Sequence, residues 1–137
     1  MRGLSSAVLA VALLAISPCS GALGADTVED IHRQCGAEYA DPISVAKCLA
    51  AEEKDYGKRL ATTYQKVVEL QTPGDKQVLV EAQRAWLKFQ ERNCQFHERV
   101  LSFEGNENGK AAAALCQLRT TMQRLSEFEA LLPNLEH

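Results

Sequence analysis

Apolar residues recur at alternating steps of three and four along three long stretches of the chain, the spacing that gathers them on one face of an α-helix. From Ile43 to about Gln71 the rhythm runs through Val45, Leu49, Glu52, Tyr56, Leu60, Thr63, Val67 and Leu70, with Gly57 as its weak link. Thr72-Pro73-Gly74-Asp75 ends that helix, because proline lacks an N–H and fixes φ. In the next helix Leu79, Ala82, Trp86, Phe89, Asn93, Phe96, Val100 and Phe103 form the stripe expected to be core. Arg84, Lys88, Glu91, Arg92 and Glu98 fall largely outside it. The segment Glu104 to Gly109 is polar and glycine-flanked, hence a surface loop. A last helix is predicted from about Lys110 to Leu132, with Leu115, Leu118, Met122, Leu125, Phe128 and Leu132 in rhythm and Pro133 as its stop. A short first helix, Asp26 to about Gly36, is capped by Asp26 or Thr27 and followed by a turn at Asp41-Pro42. Nothing has the period of a strand. The pattern predicts an all-α, disulfide-stapled bundle with two long antiparallel helices, a short N-terminal helix and a C-terminal helix on the second long one.

The first 24 residues stand apart. Arg2 precedes an unbroken apolar run from Ala7 to Ile16, which Pro18, Ser20 and Gly21 then break, the layout of a secretory signal peptide cleaved after Gly24 or Ala25. A run of about ten residues is too short for the ~20 of a membrane-spanning helix, so no span is expected in the mature protein. Pro18 stands where a lipidated Cys19 would want a small residue, so lipidation is disfavoured. Residues 25–137 suit one domain with a single modest core, and the location implied is periplasmic or secreted.

Four cysteines remain beyond the signal segment: Cys35, Cys48, Cys94 and Cys116. In an oxidising compartment they suggest two disulfides, for which three pairings exist. Helix geometry chooses among them. Cys94 and Cys116 lie roughly 13 Å and 10 Å along their helices from the shared loop, at ~1.5 Å per residue, and so meet as antiparallel neighbours. That favours Cys94 with Cys116 and Cys35 with Cys48.

Lys and Arg number 15 against 18 Asp and Glu; removing the first 24 residues takes away only Arg2, leaving 14 against 18 and a formal charge of −4. No basic face or arm exists to neutralise phosphates, because the basic residues are interleaved with Glu along every helix, and nucleic-acid binding is disfavoured. Catalytic chemistry is equally unsupported. Adjacent Glu52 and Glu53 diverge by ~100° on a helix. His32, His97 and His137 are scattered, Cys94 with His97 supplies half a usual metal site, and no serine or cysteine has a nucleophile's context. No catalytic residue, cofactor or metal is therefore assigned. Trp86 reads as core, and Asn93 as a buried polar group that sets register.

The run Ala82-Gln83-Arg84-Ala85-Trp86, the aromatic Phe89, Cys94 and the later Cys116 resemble the lysozyme inhibitor LprI N-terminal family, formerly a domain of unknown function. Leu60 and Tyr64 match the helical motif that the family carries upstream. Gly57 and Ala61 depart from it, replacing an acid and an asparagine, and the polar loop before Cys116 is not of the Gly-Gly-Ser type. The resemblance implies an exported, helical, cysteine-containing protein of a family in which some members inhibit lysozyme, the matching residues being mainly structural. It points to a non-enzymatic inhibitor of a lysozyme-like muramidase. The physical route expected is occlusion of the target's cleft by a rigid stapled bundle, and the polar loop Glu104, Asn106, Glu107, Asn108 and Lys110 is the candidate target-binding loop, because it can reach hydrogen-bond partners while the cystine below holds it. Two other readings stay open: a periplasmic immunity protein against one toxin, and an envelope structural or ligand-binding protein.

Overall fold

The computed structural model describes residues 27–102 and 107–136. The segment assigned to the signal peptide, Cys19, the loop residues Glu104 and Asn106, and His137 lie outside the described residues. Four helices follow in order: α1, Val28–Glu38; α2, Pro42–Glu69; α3, Pro73–Leu101; and α4, Asn108–Leu135. Among the described residues there is no strand.

The helix starts follow from local chemistry. Thr27 and Asp30 form a reciprocal capping box, the Thr27 hydroxyl accepting from the Asp30 N–H at 3.1 Å and the Asp30 carboxylate from the Thr27 N–H at 3.2 Å. Asp41 caps α2 by accepting from the Ser44 N–H at 2.8 Å, ahead of Pro42 in the first turn, where a missing N–H costs nothing. Thr72 caps α3 in the same way, ahead of Pro73. Hydrogen bonds from Thr27 hold the Asp30 carboxyl below the usual carboxylate range, and those from Ser44 do the same for Asp41. Both caps are intact above the unfolded-state carboxylate pKa and released as pH falls through the lower folded values. The protection factors of the Thr27 and Ser44 amides, which donate to these carboxylates, should therefore fall in acid before the core opens. At the other end, α4 runs past its expected stop to Leu135, since Pro133 falls in the last turn. There the Asn134 side chain donates to the Ala130 carbonyl and the Glu136 N–H to that of Leu132.

α4 is the axis of the bundle. It sits on α3, as the pattern predicts, but packs most extensively against α2. α2 runs parallel to it, with Glu53 level with Thr121 and Arg59 level with Glu129. α3 runs antiparallel, with Gln90 beside Thr121, Cys94 beside Cys116 and Glu98 beside Lys110. The core has two parts. Ile31, Cys35, Leu49, Ala114 and Leu118 close the end where α1, α2 and α4 meet. Leu60, Val67, Leu125 and Phe128 fill the α2–α4 seam toward the other end, edged by Tyr64, Leu79 and Trp86. Although α2 and α3 are joined by a tight turn, they flank α4 and scarcely touch each other.

Both cystines are those expected. Cys35 is bonded to Cys48, tying α1 to α2 with Cα atoms 5.8 Å apart, and Cys94 to Cys116, tying α3 to α4 at 5.4 Å.

The stripe expected to bury α3 needs correction. Phe89 is 57% and Phe96 62% exposed, and Ala82 and Val100 face solvent with them. The inward row is instead Leu79, Gln83, Trp86, Gln90, Asn93, Cys94 and His97. The cystine explains the rotation, because at ~100° per residue Phe89 lies ~140° and Phe96 ~160° around the helix from Cys94. Locking Cys94 onto α4 turns both rings away. Phe89→Ala and Phe96→Ala should each change stability by no more than about 0.5 kcal/mol. Half-buried Trp86→Ala should cost roughly 2–3 kcal/mol, below the full-burial range. Urea titration distinguishes these values.

Candidate functional site

Two features on the described residues could meet a partner. The first is the tip where α3 turns into α4. Glu107 occupies the N-cap position of α4 and Asn108 its first turn, both exposed, while Lys110 Nζ pairs with Glu98 Oε1 of α3 at 2.7 Å. That carboxylate raises the Lys110 pKa, and the pair braces the turn. Gly109 is buried, and a Cβ there would run into the Ser102 side chain and the Glu98 carbonyl. The close crossing thus depends on glycine. Gly109→Ala should cost about 1–3 kcal/mol, the range for forcing a group into packed space, and calorimetry would record it. Below the tip the Cys94–Cys116 cystine joins the two helices. Glu107, Asn108 and Lys110 are therefore displayed together on a braced base.

The second feature is a trough between α2 and α3, floored by α4, with a volume of about 300 Å³, the lower end of the range for ligand sites. Leu60, Ala61 and Tyr64 of α2 face Trp86 and Leu87 of α3 across it, with Glu53 and Gln90 also on its walls and Thr121 on its floor. It exists because α2 and α3 flank α4 without closing on each other, and because Gly57 and Ala61 leave the α2 wall low.

A polar chain spans the floor. The Gln90 amide donates to the Thr121 hydroxyl at 2.9 Å and to Thr120 at 2.8 Å, and the Thr121 hydroxyl donates to Glu53 Oε1 at 3.0 Å. Arg124 Nε donates to Gln83 Oε1 at 3.1 Å, and its guanidinium lies 5.8 Å from the Trp86 ring centroid and 4.5 Å from that of Phe128. So Gln83 and Trp86 engage α4 through Arg124, whereas Ala82, Arg84 and Ala85 of the same run are exposed. Asn93 Nδ2 lies 3.5 Å from Cys116 Sγ. Leu60 is buried and the Tyr64 ring lies tilted against that of Phe128, with centroids 5.8 Å apart.

Sequence reasoning missed Glu53 and Gln90. Glu52 is exposed, and it is Glu53 that turns inward. The available signal was the offset: Glu53, Gly57, Ala61 and Tyr64, which all line the trough, each stand one step past a position of the apolar stripe (Glu52, Tyr56, Leu60 and Thr63).

Two cystines cross-link the helical chain, and no group of His, Cys, Asp or Glu among the described residues is able to hold a metal. The chain belongs to the family described as Lysozyme inhibitor LprI, which it matches over residues 35–128, a span that contains all four bonded cysteines. That is a family of protein inhibitors, not of enzymes. No curated protein and no solved structure matches the chain. No described helix is long and apolar enough to cross a membrane, and the inhibitor family and two cystines fit a protein of an extracellular or periplasmic space.

Proposed function

We propose that this protein is exported by cleavage of a signal peptide within its first 25 residues and inhibits a lysozyme-like muramidase by occluding the sugar-binding cleft. Membership of the lysozyme inhibitor family over residues 35–128 carries this reading. The physical route is a braced tip. Glu104, Asn106, Glu107, Asn108 and Lys110 form the contact group, and the Lys110–Glu98 pair, the close packing at Gly109 and the cystine below reduce the ordering entropy lost on binding. Net negative charge steers encounter with a basic lysozyme and does so less as salt rises.

The test is a turbidity assay of wall lysis with a panel of muramidases. Stoichiometric protein should slow at least one of them while leaving peptidoglycan itself unaltered. Replacing Glu104, Asn106, Glu107 and Asn108 by Ala should weaken inhibition with helicity and both cystines retained, and added salt should slow association. No inhibition across the panel at tens-fold molar excess would exclude the muramidase target and favour an immunity role against a particular toxin.

A further inference from the structure

We infer that the trough between α2 and α3 is a second contact site, which takes an extended segment of a partner protein bearing an arginine or lysine side chain. The inference rests on the inhibitor reading in one respect, that the partner is a protein.

The trough has the chemistry of such a seat. Its walls are apolar and aromatic, from Leu60, Tyr64, Trp86 and Leu87, and Glu53 is the one acidic or basic residue among those that line it. The Glu53 carboxylate is half-buried and accepts one hydrogen bond, from Thr121 to Oε1; no described cation pairs with it. The basic residues nearest along α2 are engaged elsewhere or exposed: Lys58 pairs with Asp55, Arg59 with Glu129, and Lys54 projects to solvent. A carboxylate held against apolar walls without a counter-ion favours an incoming cation, and the walls suit the methylene stem that carries it. A metal ion would need further ligands, which the trough does not supply.

Farther along the trough, Gln83 spends its carbonyl oxygen on Arg124, which leaves its amide N–H groups as donors. Eleven residues of α2 separate Glu53 from Tyr64, about 16 Å at the helical rise. That is the length of about five residues of extended chain, and the open volume of about 300 Å³ takes in the inward-facing side chains of such a segment rather than a folded element.

Trp86 is the only tryptophan, so its fluorescence reports on the trough directly. The probe is the peptide acetyl-Ala-Leu-Arg-Leu-Ala-amide, compared with the same peptide carrying Glu in place of Arg. The Arg peptide should change Trp86 emission saturably and the Glu peptide should not. Glu53→Gln, which keeps an acceptor for Thr121, should weaken the Arg peptide at least about tenfold, the effect of losing a charge-assisted hydrogen bond. Ala61→Leu should fill the trough and abolish the response. Should that variant not fold, Gly57→Ala serves instead, since its Cβ meets only Glu53 Oε1, at an ordinary 3.6 Å, and it should narrow the trough and weaken the response.

No saturable change up to about 10 mM peptide, far above the affinity of specific contacts, would overturn the proposal, and so would equal binding of the Glu peptide or indifference to Glu53→Gln. Muramidase assays on the same variants separate the two readings. If the wild type binds the Arg peptide but inhibits no muramidase, the inhibitor reading falls and the trough stands. If inhibition needs the tip and is unchanged by Glu53→Gln and Ala61→Leu, the trough falls as a partner site and inhibition stands.

Discussion

Replacing Cys94 and Cys116 together by alanine is expected to lower the unfolding free energy by about 3 kcal/mol, within the 2–5 kcal/mol usual for a native cystine in a small exported domain. The cystine closes a separation of 22 residues, and the chain entropy it removes from the unfolded state grows slowly with that length. A loss of this size corresponds to about 12–24 °C in melting temperature for a domain near 100 residues. The effect on the tip should exceed the global figure. α3 touches only α4 to any extent, and its contact face is largely amides, so the cystine is the strongest single tie holding its C-terminal end. Without it, only the Lys110–Glu98 pair and the close packing at Gly109 brace the turn, and a half-exposed ion pair contributes about 1 kcal/mol at most. Hydrogen exchange should show residues 94–102 opening well before the α2–α4 seam, and muramidase inhibition should fall more than the loss of folded protein accounts for. Removing Cys35 and Cys48 instead should free α1, with Ile31 losing its burial, and leave the tip unchanged. Equal exchange at the tip in both variants would mean that the Cys94–Cys116 bond does not brace it.

The parts of the structure legible in the sequence are those governed by short-range rules. Helix ends follow proline, glycine and capping residues within a turn or two of where those residues stand, and the Cys94–Cys116 pairing follows from helix lengths, which leaves Cys35 for Cys48. The apolar rows of α2 and α4 were legible because α4 buries a broad face against α2, so Leu49, Leu60 and Val67 oppose Leu118, Leu125 and Phe128. The face of α3 was not, because its partner surface is polar. Gln83 and Gln90 are inward, where hydropathy places them outward, and their hydrogen-bond partners Arg124, Thr121 and Thr120 stand on a helix at least 30 residues away; Asn93, already on the expected stripe, is inward and meets Cys116 Sγ. No periodicity in α3 encodes those partners. Of the candidate tip, Glu107, Asn108 and Lys110 could be placed, and the brace that Lys110 adds depends on Glu98, one helix away. The trough was invisible for a different reason: it is a gap, created by two helices that stay apart, and sequence patterns register contacts rather than their absence.

Phe128→Ala should be the most damaging single apolar truncation in the lower half of the bundle, costing about 3–5 kcal/mol. The ring is 2% exposed and packs in one cluster with Leu60, Val67 and Leu125. It also carries interactions that a Leu would lose, with Tyr64 tilted against it at 5.8 Å and the Arg124 guanidinium over its face at 4.5 Å. Both cystines lie toward the opposite end of α4, so no cross-link limits what opens when the ring is removed. Arg124 links this cluster to α3 through Gln83 and Trp86, so the cavity left by Phe128 should loosen α3 along the trough as well. Against a total stability of about 5–15 kcal/mol for a domain of this kind, the variant should remain folded at the cystine end and open at the other. Trp86 emission should then shift at lower urea than the far-ultraviolet helical signal, a departure from two-state unfolding that the parent protein should not show. Phe128→Leu, which refills most of the volume without the ring, should recover much of the stability while leaving Arg124 less ordered. If Phe128→Ala unfolds with coincident transitions and a cost below about 1 kcal/mol, then burial at this seam does not hold the lower bundle together, and the polar ties through Arg124 must do so.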